Sequence, residues 1–157
     1  PTLRIAQLAA ILSNAPSLLQ SVLQDSRDFA GFKKLLKVKP SDYWQYHYSF
    51  GKPSERQTSS GISTTALELL VINYVIPLWF AYGRHFEEPD WQERCFDLLQ
   101  EVSAENNYII RRFKSHGWTA ENGFDSQGMI GLFKSYCQPK QCLQCKIAQT
   151  LIKTESK

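Results

Sequence analysis

The sequence predicts an all-α fold: an irregular multi-helix bundle around a central buried helix. Apolar residues recur at three- and four-residue spacing along most of the chain, the period of a helix with one buried face. No alternating apolar–polar run reaches six residues, so nothing offers itself as a long half-buried strand. Proline, glycine and cap-forming residues cut the chain into roughly eight or nine short helices. The chain has 157 residues, 43% hydrophobic and 13% aromatic, enough to bury a core of its own, and residues 1–157 read as one helical domain.

Leu3, Leu8, Ile11 and Leu12, with small Ala6, Ala9 and Ala10, define a first helix. Pro16 suits the first turn of the next, where Leu18, Leu19, Val22 and Leu23 repeat at helical spacing. A third helix over residues 28–37 buries Phe29, Phe32, Leu35 and Leu36. Pro40 and Ser41 then start an aromatic segment from Tyr43 to Phe50. Residues 51–61 are polar and rich in turn formers, and are expected to form a mobile loop.

Thr65 and Glu68 have capping-box spacing into the most apolar stretch, residues 66–82. Glu68, Asn73 and Pro77 interrupt that stretch, and it is slightly short for a bilayer span, so a buried helix is expected and no membrane partner. Pro77 should kink or split it, and Gly83 should end it. Pro89-Asp90 opens an acidic helix carrying Trp91, Cys95, Phe96, Leu98 and Leu99. Ser103 is the expected cap of the next, which Gly117 terminates, and Asp125 or Ser126 that of the one after. Pro139 breaks the chain before a last helix with Leu143, Ile147, Leu151 and Ile152, and residues 153–157 are read as a disordered tail.

The formal charge of +3 does not by itself imply a nucleic-acid partner, but charge is unevenly spread. Residues 87–105 hold seven acids and one base; from Lys134 onward there are five lysines and one acid. Two solvated helix faces of opposite sign are the plain reading. The basic end meeting an anion is the functional one. No secretory leader is recognisable, so the cytoplasm is the expected compartment and thiols or metal ligands are favoured over disulfides.

Cys137, Cys142 and Cys145 form the densest group of chemistry-bearing residues. The C-x2-C pair is the unit by which a turn offers two thiolates to one metal, and Lys134, Lys140 and Lys146 around it favour thiolates. Three thiolates leave zinc or an iron–sulfur cluster one ligand short, so His47 or Cys95 is the candidate fourth. The run is similar to the iron–sulfur tail of helix-hairpin-helix DNA glycosylases, but lacks their fourth cysteine, their Gly-rich hairpin and the Asp that follows it. Trp44, Tyr46 and His47 are candidate ring-stacking contacts, and with the three lysines they make a nucleic-acid-associated domain the alternative reading. No Ser/His/Asp set, phosphate loop or HExxH motif is present, so the chain leans away from an enzyme.

Four pieces together carry a family resemblance. They are Leu3-Arg-Ile-Ala-Gln-Leu-Ala-Ala, Tyr43-Trp-Gln-Tyr-His-Tyr-Ser-Phe-Gly, Val71-Ile-Asn-Tyr-Val-Ile-Pro-Leu-Trp-Phe-Ala-Tyr-Gly, and Asp125-Ser-Gln followed by Tyr136-Cys and Cys142-Leu-Gln-Cys. Together they resemble the C-terminal portion of the domain-of-unknown-function family 2851 of Bacteroidetes and relatives, across nearly the whole chain. Where members of that family have Ile-Gly after the last cysteine, this chain has Ile147-Ala148. The resemblance implies a bacterial protein and a C-terminal domain of a longer chain, with Pro1 a cut point and another domain of that chain as partner. It supplies no activity. The expected role is a non-catalytic helical interaction or structural module, with the cysteines fastening its last helix.

Overall fold

The computed structural model describes residues 2–25, 28–57 and 61–154, and these are mostly helical. The chain divides at Val102/Ser103 into two units, where the sequence reading took one domain. The sixth helix ends there because Val102 turns to extended backbone (φ −94°, ψ 149°).

The first unit contains α1 (Thr2–Asn14), a short α2 (Leu18–Gln20) that widens into a π-turn (Ser21–Asp25), and α3 (Phe29–Leu36). A 3-10 turn (Asp42–Gln45) leads to a two-stranded hairpin of β1 (His47–Ser49) and β2 (Lys52–Pro53). Then come α4 (Thr64–Leu70), a second π-turn (Val71–Val75), α5 (Ile76–His85) and α6 (Asp90–Glu101). Part of the expected loop is therefore strand. Gly51 takes φ +66° at the hairpin turn, a conformation glycine adopts without strain, and its N–H donates to the Tyr43 hydroxyl at 2.9 Å. Thr58, Ser59 and Ser60 of that loop lie outside the described residues.

α4 through α5 form one helix of 22 residues, Thr64–His85, long and apolar enough to cross a membrane by length and composition. It is thus longer than the sequence suggested. Ser63 caps it, its hydroxyl accepting from the Ala66 N–H at 3.2 Å, so the cap lies before Thr65. Pro77 neither splits nor ends it. In an ordinary α-turn the proline ring crowds the carbonyl four residues back. The wide turn just upstream makes room: the Ile76 N–H reaches back five residues to the Val71 carbonyl.

One face of this helix is the core. Leu67, Val71, Ile72, Val75 and Trp79 are buried against Val22, Phe29, Phe32 and Leu36 and against Trp91, Cys95 and Leu98 of α6. Trp79 is pinned on three sides. Its ring lies 5.5 Å from those of Phe32 and Trp91, and its indole N–H donates to the Val22 carbonyl at 2.9 Å. The other face is not buried: Leu69, Tyr74, Leu78 and Phe80 are exposed. The expected central buried helix is buried on one side only.

Gly83 does not end the helix, which continues to His85. A Cβ there would meet the Trp91 Cβ at 2.5 Å and the Glu88 carbonyl at 2.9 Å, so glycine is what lets α6 approach. Glu88 and Glu101 of the 87–105 run are exposed, yet their carboxylates make structural hydrogen bonds. The Glu88 carboxylate accepts from the Trp91 indole at 2.6 Å. The Glu101 carboxylate accepts from the Phe29 N–H at 2.8 Å, beside Asp28, which accepts from the Gly31 N–H at 2.7 Å. Two carboxylates from distant parts of the chain thus cap α3, where free N–H groups and the helix dipole favour negative charge.

The second unit comprises α7 (Tyr108–Ser115), α8 (Gly123–Leu132), a π-turn (Phe133–Cys137), a 3-10 turn (Cys142–Gln144) and α9 (Lys146–Thr154). Ile109, Ile110 and Ile130 form its core, with Phe113, Met129 and Phe133 around them. Its caps are asparagines, not the expected residues. Asn107 accepts from the Ile109 and Ile110 N–H groups, and Asn122 from that of Asp125. Ser103 instead bridges to Asn122, and Ser126 is buried with its hydroxyl accepting from the Glu105 N–H. The Glu105 carboxylate accepts from the side chains of Asn107 and Gln127, clipping the entering segment to α8. Gly117, at φ +85°, ends α7 as expected. α9 reaches Thr154, so the expected disordered tail begins as helix, and Glu155, Ser156 and Lys157 lie outside the described residues.

Replacing Gly83 by Ala should lower the stability of the first unit by about 1–3 kcal/mol, because backbone and a tryptophan must shift to admit one methyl group. Urea unfolding followed by tryptophan fluorescence reads this. An unchanged midpoint would mean that α5 and α6 do not approach as described.

Candidate functional site

The cysteine run is built by three consecutive turns. The π-turn that extends α8 ends at Cys137, with the Gln138 N–H donating to the Phe133 carbonyl at 2.8 Å. Lys140 then takes φ +59° and reverses the chain, and the Gln141 N–H donates to the Tyr136 carbonyl at 2.8 Å. The following 3-10 turn carries Cys142, and the Cys145 N–H donates to the Cys142 carbonyl at 3.1 Å. Gln149 of α9 reaches back to donate to the Leu143 carbonyl at 2.5 Å. These bonds fold the run onto the start of α9 without any thiol taking part.

Cys145 is buried, and Cys137 and Cys142 are exposed; all four cysteines of the chain are free. Among the described residues, no three His, Cys, Asp or Glu side chains gather as a metal-ligand group. The two residues considered as a fourth ligand belong to the first unit and have partners there. Cys95 is 1% exposed, its thiol directed at the Ile76 carbonyl at 3.6 Å. His47 stacks flat on Tyr43 at 3.9 Å, with Nδ1 2.8 Å from the Tyr43 carbonyl oxygen.

What the second unit does form is a pocket of about 600 Å³. Cys137, Cys145 and Lys140, three of the residues singled out in the sequence, line it. Arg112, His116 and Trp118 line it too, and the sequence reading gave them no such role. The signal was the basic last turn of α7 followed at once by a tryptophan past the terminating Gly117. Lys134 and Lys146 are exposed and are not among the pocket's lining residues.

Within the aromatic segment, Trp44 is buried and its ring meets Tyr43 and Phe50 edge-on, at 5.2 and 5.0 Å. Tyr46 and Tyr48 are exposed. The segment is thus largely a small aromatic cluster closing the hairpin. It belongs to the first unit, and Lys134, Lys140 and Lys146 to the second.

The first unit has a groove of its own, about 720 Å³, that the sequence did not announce. One wall is Arg4, Gln7, Leu8 and Ile11 of α1; the other is Ala66, Leu69, Leu70, Asn73 and Tyr74 of the long helix. Each set follows the i, i+3, i+4, i+7 spacing of a single helix face. Apolar Ile5, Leu8 and Leu12 stand exposed along α1, and Leu8 enters the groove.

Burial pushes the Cys95 thiol up from 9.0 to about 11. Its folded pKa exceeds its unfolded one, so the stabilisation is complete below pH 9 and is lost as pH rises from about 9 to about 11. Stability should fall by on the order of 1–2 kcal/mol across that window, and Cys95→Ala should remove this slope. Alkylation of the folded chain at neutral pH should mark Cys137 and Cys142 first and leave Cys95 unmodified. Modification of Cys95 as fast as Cys142 would contradict this placement.

Comparison with known proteins bears on the first unit above all. A family described as a protein of unknown function (DUF2851) matches residues 1–108, which is the first unit and the entry into the second. The first three motifs of the resemblance lie inside the match, and the fourth, with the cysteines, lies outside it. No curated protein and no solved structure matches the chain. With 108 of its 157 residues in the match, the chain belongs to the DUF2851 family.

Proposed function

We propose that the chain is a non-catalytic helical recognition module whose first unit receives an amphipathic helix from a partner. One observation carries this reading: two helix faces, each complete at i, i+3, i+4 and i+7, flank an open groove. A third helix laid between them would bury Leu8, Leu69 and Tyr74, which are 53%, 44% and 70% exposed. Burying apolar area of that kind contributes roughly 25 cal/mol per Å², so a few side chains on each wall suffice for specific binding. Another domain of the same longer protein is the expected source of the helix. The four free cysteines suit a reducing compartment such as the cytoplasm.

The test places a photo-crosslinking phenylalanine analogue at Leu8 or Tyr74 of the full natural protein in its own cells, with Gln92 as an exposed control position. Crosslinks should concentrate on one segment whose apolar residues repeat at helical spacing, and Leu69→Glu should abolish them. Flotation with lipid vesicles distinguishes a membrane surface from a protein helix. Crosslinks to lipid, or none above the Gln92 control, would overturn the reading.

A further inference from the structure

The pocket in the second unit is independent of that groove and different in chemistry. Its walls are ring faces and aliphatic side chains: Phe113, Trp118, Phe133 and Ile147. Its charged lining residues are all basic, Arg112 and Lys140, with His116 beside them, and no acid is among its lining residues. At about 600 Å³ it is the size of a small-molecule site.

Three features make this more than a gap between helices. Trp118 is 42% exposed, an unusual place for a tryptophan in a chain whose other three are buried, and its ring lies 5.9 Å from Phe113. The Nδ1 atom of His116 is engaged by the Arg112 carbonyl oxygen at 2.8 Å and the Ser115 hydroxyl at 3.2 Å, which fixes the ring against the end of α7. Lys140, where the chain reverses at φ +59°, brings a second cation to the pocket lining from a different element. Cations from both α7 and the turn after Cys137 thus line the same pocket as Phe113, Trp118 and Phe133.

We infer that this pocket binds a small planar aromatic molecule carrying one anionic group. The rings of Trp118 and Phe113 take its flat face. Arg112 and Lys140 meet its carboxylate or phosphate, and Arg112 can do so with two parallel N–H donors. Cys137 and Cys145 are among the lining residues, so an occupant shields the exposed Cys137 thiol from solvent.

The probes are 2-naphthoate and its neutral counterpart 2-naphthalenemethanol, titrated against the full chain. Naphthoate should quench the fluorescence of Trp118 and slow alkylation of Cys137 by iodoacetamide several-fold, while alkylation of Cys142 keeps its rate. Arg112→Gln and Lys140→Gln together should weaken naphthoate by roughly tenfold or more. They should leave the alcohol's weaker binding unchanged, and Arg112→Lys should recover part of the loss. All three substitutions are at exposed positions, and circular dichroism confirms that each variant is folded. Equal binding of acid and alcohol, binding indifferent to both substitutions, binding without protection of Cys137, or no binding at millimolar probe would each overturn the proposal.

Discussion

The buried indole of Trp79 is the contact on which the first unit depends. It is 1% exposed and touches three other elements at once: the π-turn after α2 through Val22, α3 through Phe32, and α6 through Trp91. Burying a side chain of this size contributes several kcal/mol, of the order of 5. Its polar edge is satisfied by the Val22 carbonyl of that π-turn. The wide turn at Val71–Val75 serves the same end, carrying the helix past Pro77 so that Trp79 stays on the face of Leu67, Val71 and Val75. Gly83, one turn on, then lets α6 close over that face.

Fixing that rotation decides what the helix shows to the outside. With Trp79 inward, Leu69, Tyr74 and Leu78 must point away. The helix therefore uses one face in its own core and leaves apolar side chains exposed on the other. In this way the residue that stabilises the first unit also sets the groove proposed as its recognition face. The second unit is organised differently. A small isoleucine core and polar clips around Glu105 and Ser126 hold it together, and the functional interest lies in the rim formed by α7 and the cysteine-bearing turns.

Much of the fold was legible in the sequence because helical periodicity is a local signal. The apolar spacing of Phe29, Phe32 and Leu36 marked α3, and Gly117 marked the end of α7. Caps were harder, because several Ser, Thr, Asn and Asp residues compete within each junction and tertiary contacts choose among them. Asn107 prevails over Ser103 since Ser103 is drawn into the bridge with Asn122. Gly83 looked like a terminator because a close approach between helices leaves no mark on local sequence. The cysteines drew attention by spacing, whereas Arg112 and Trp118 joined them only through the folding of α7 beside the π-turn. The groove is not legible in the sequence because its two walls lie about sixty residues apart, and each alone reads as an ordinary helix face.

The most direct measurement is native-state hydrogen exchange of the wild type and of Trp79→Phe. Phenylalanine keeps a ring but leaves a gap and removes the N–H that donates to the Val22 carbonyl. That costs on the order of 2–3 kcal/mol. Amides of the Thr64–His85 helix should exchange slowest in the wild type, and in the variant they should accelerate by roughly 30- to 150-fold together with those of α3 and α6. Unchanged rates, or acceleration confined to the residues next to position 79, would contradict the claim that this one side chain holds the unit together.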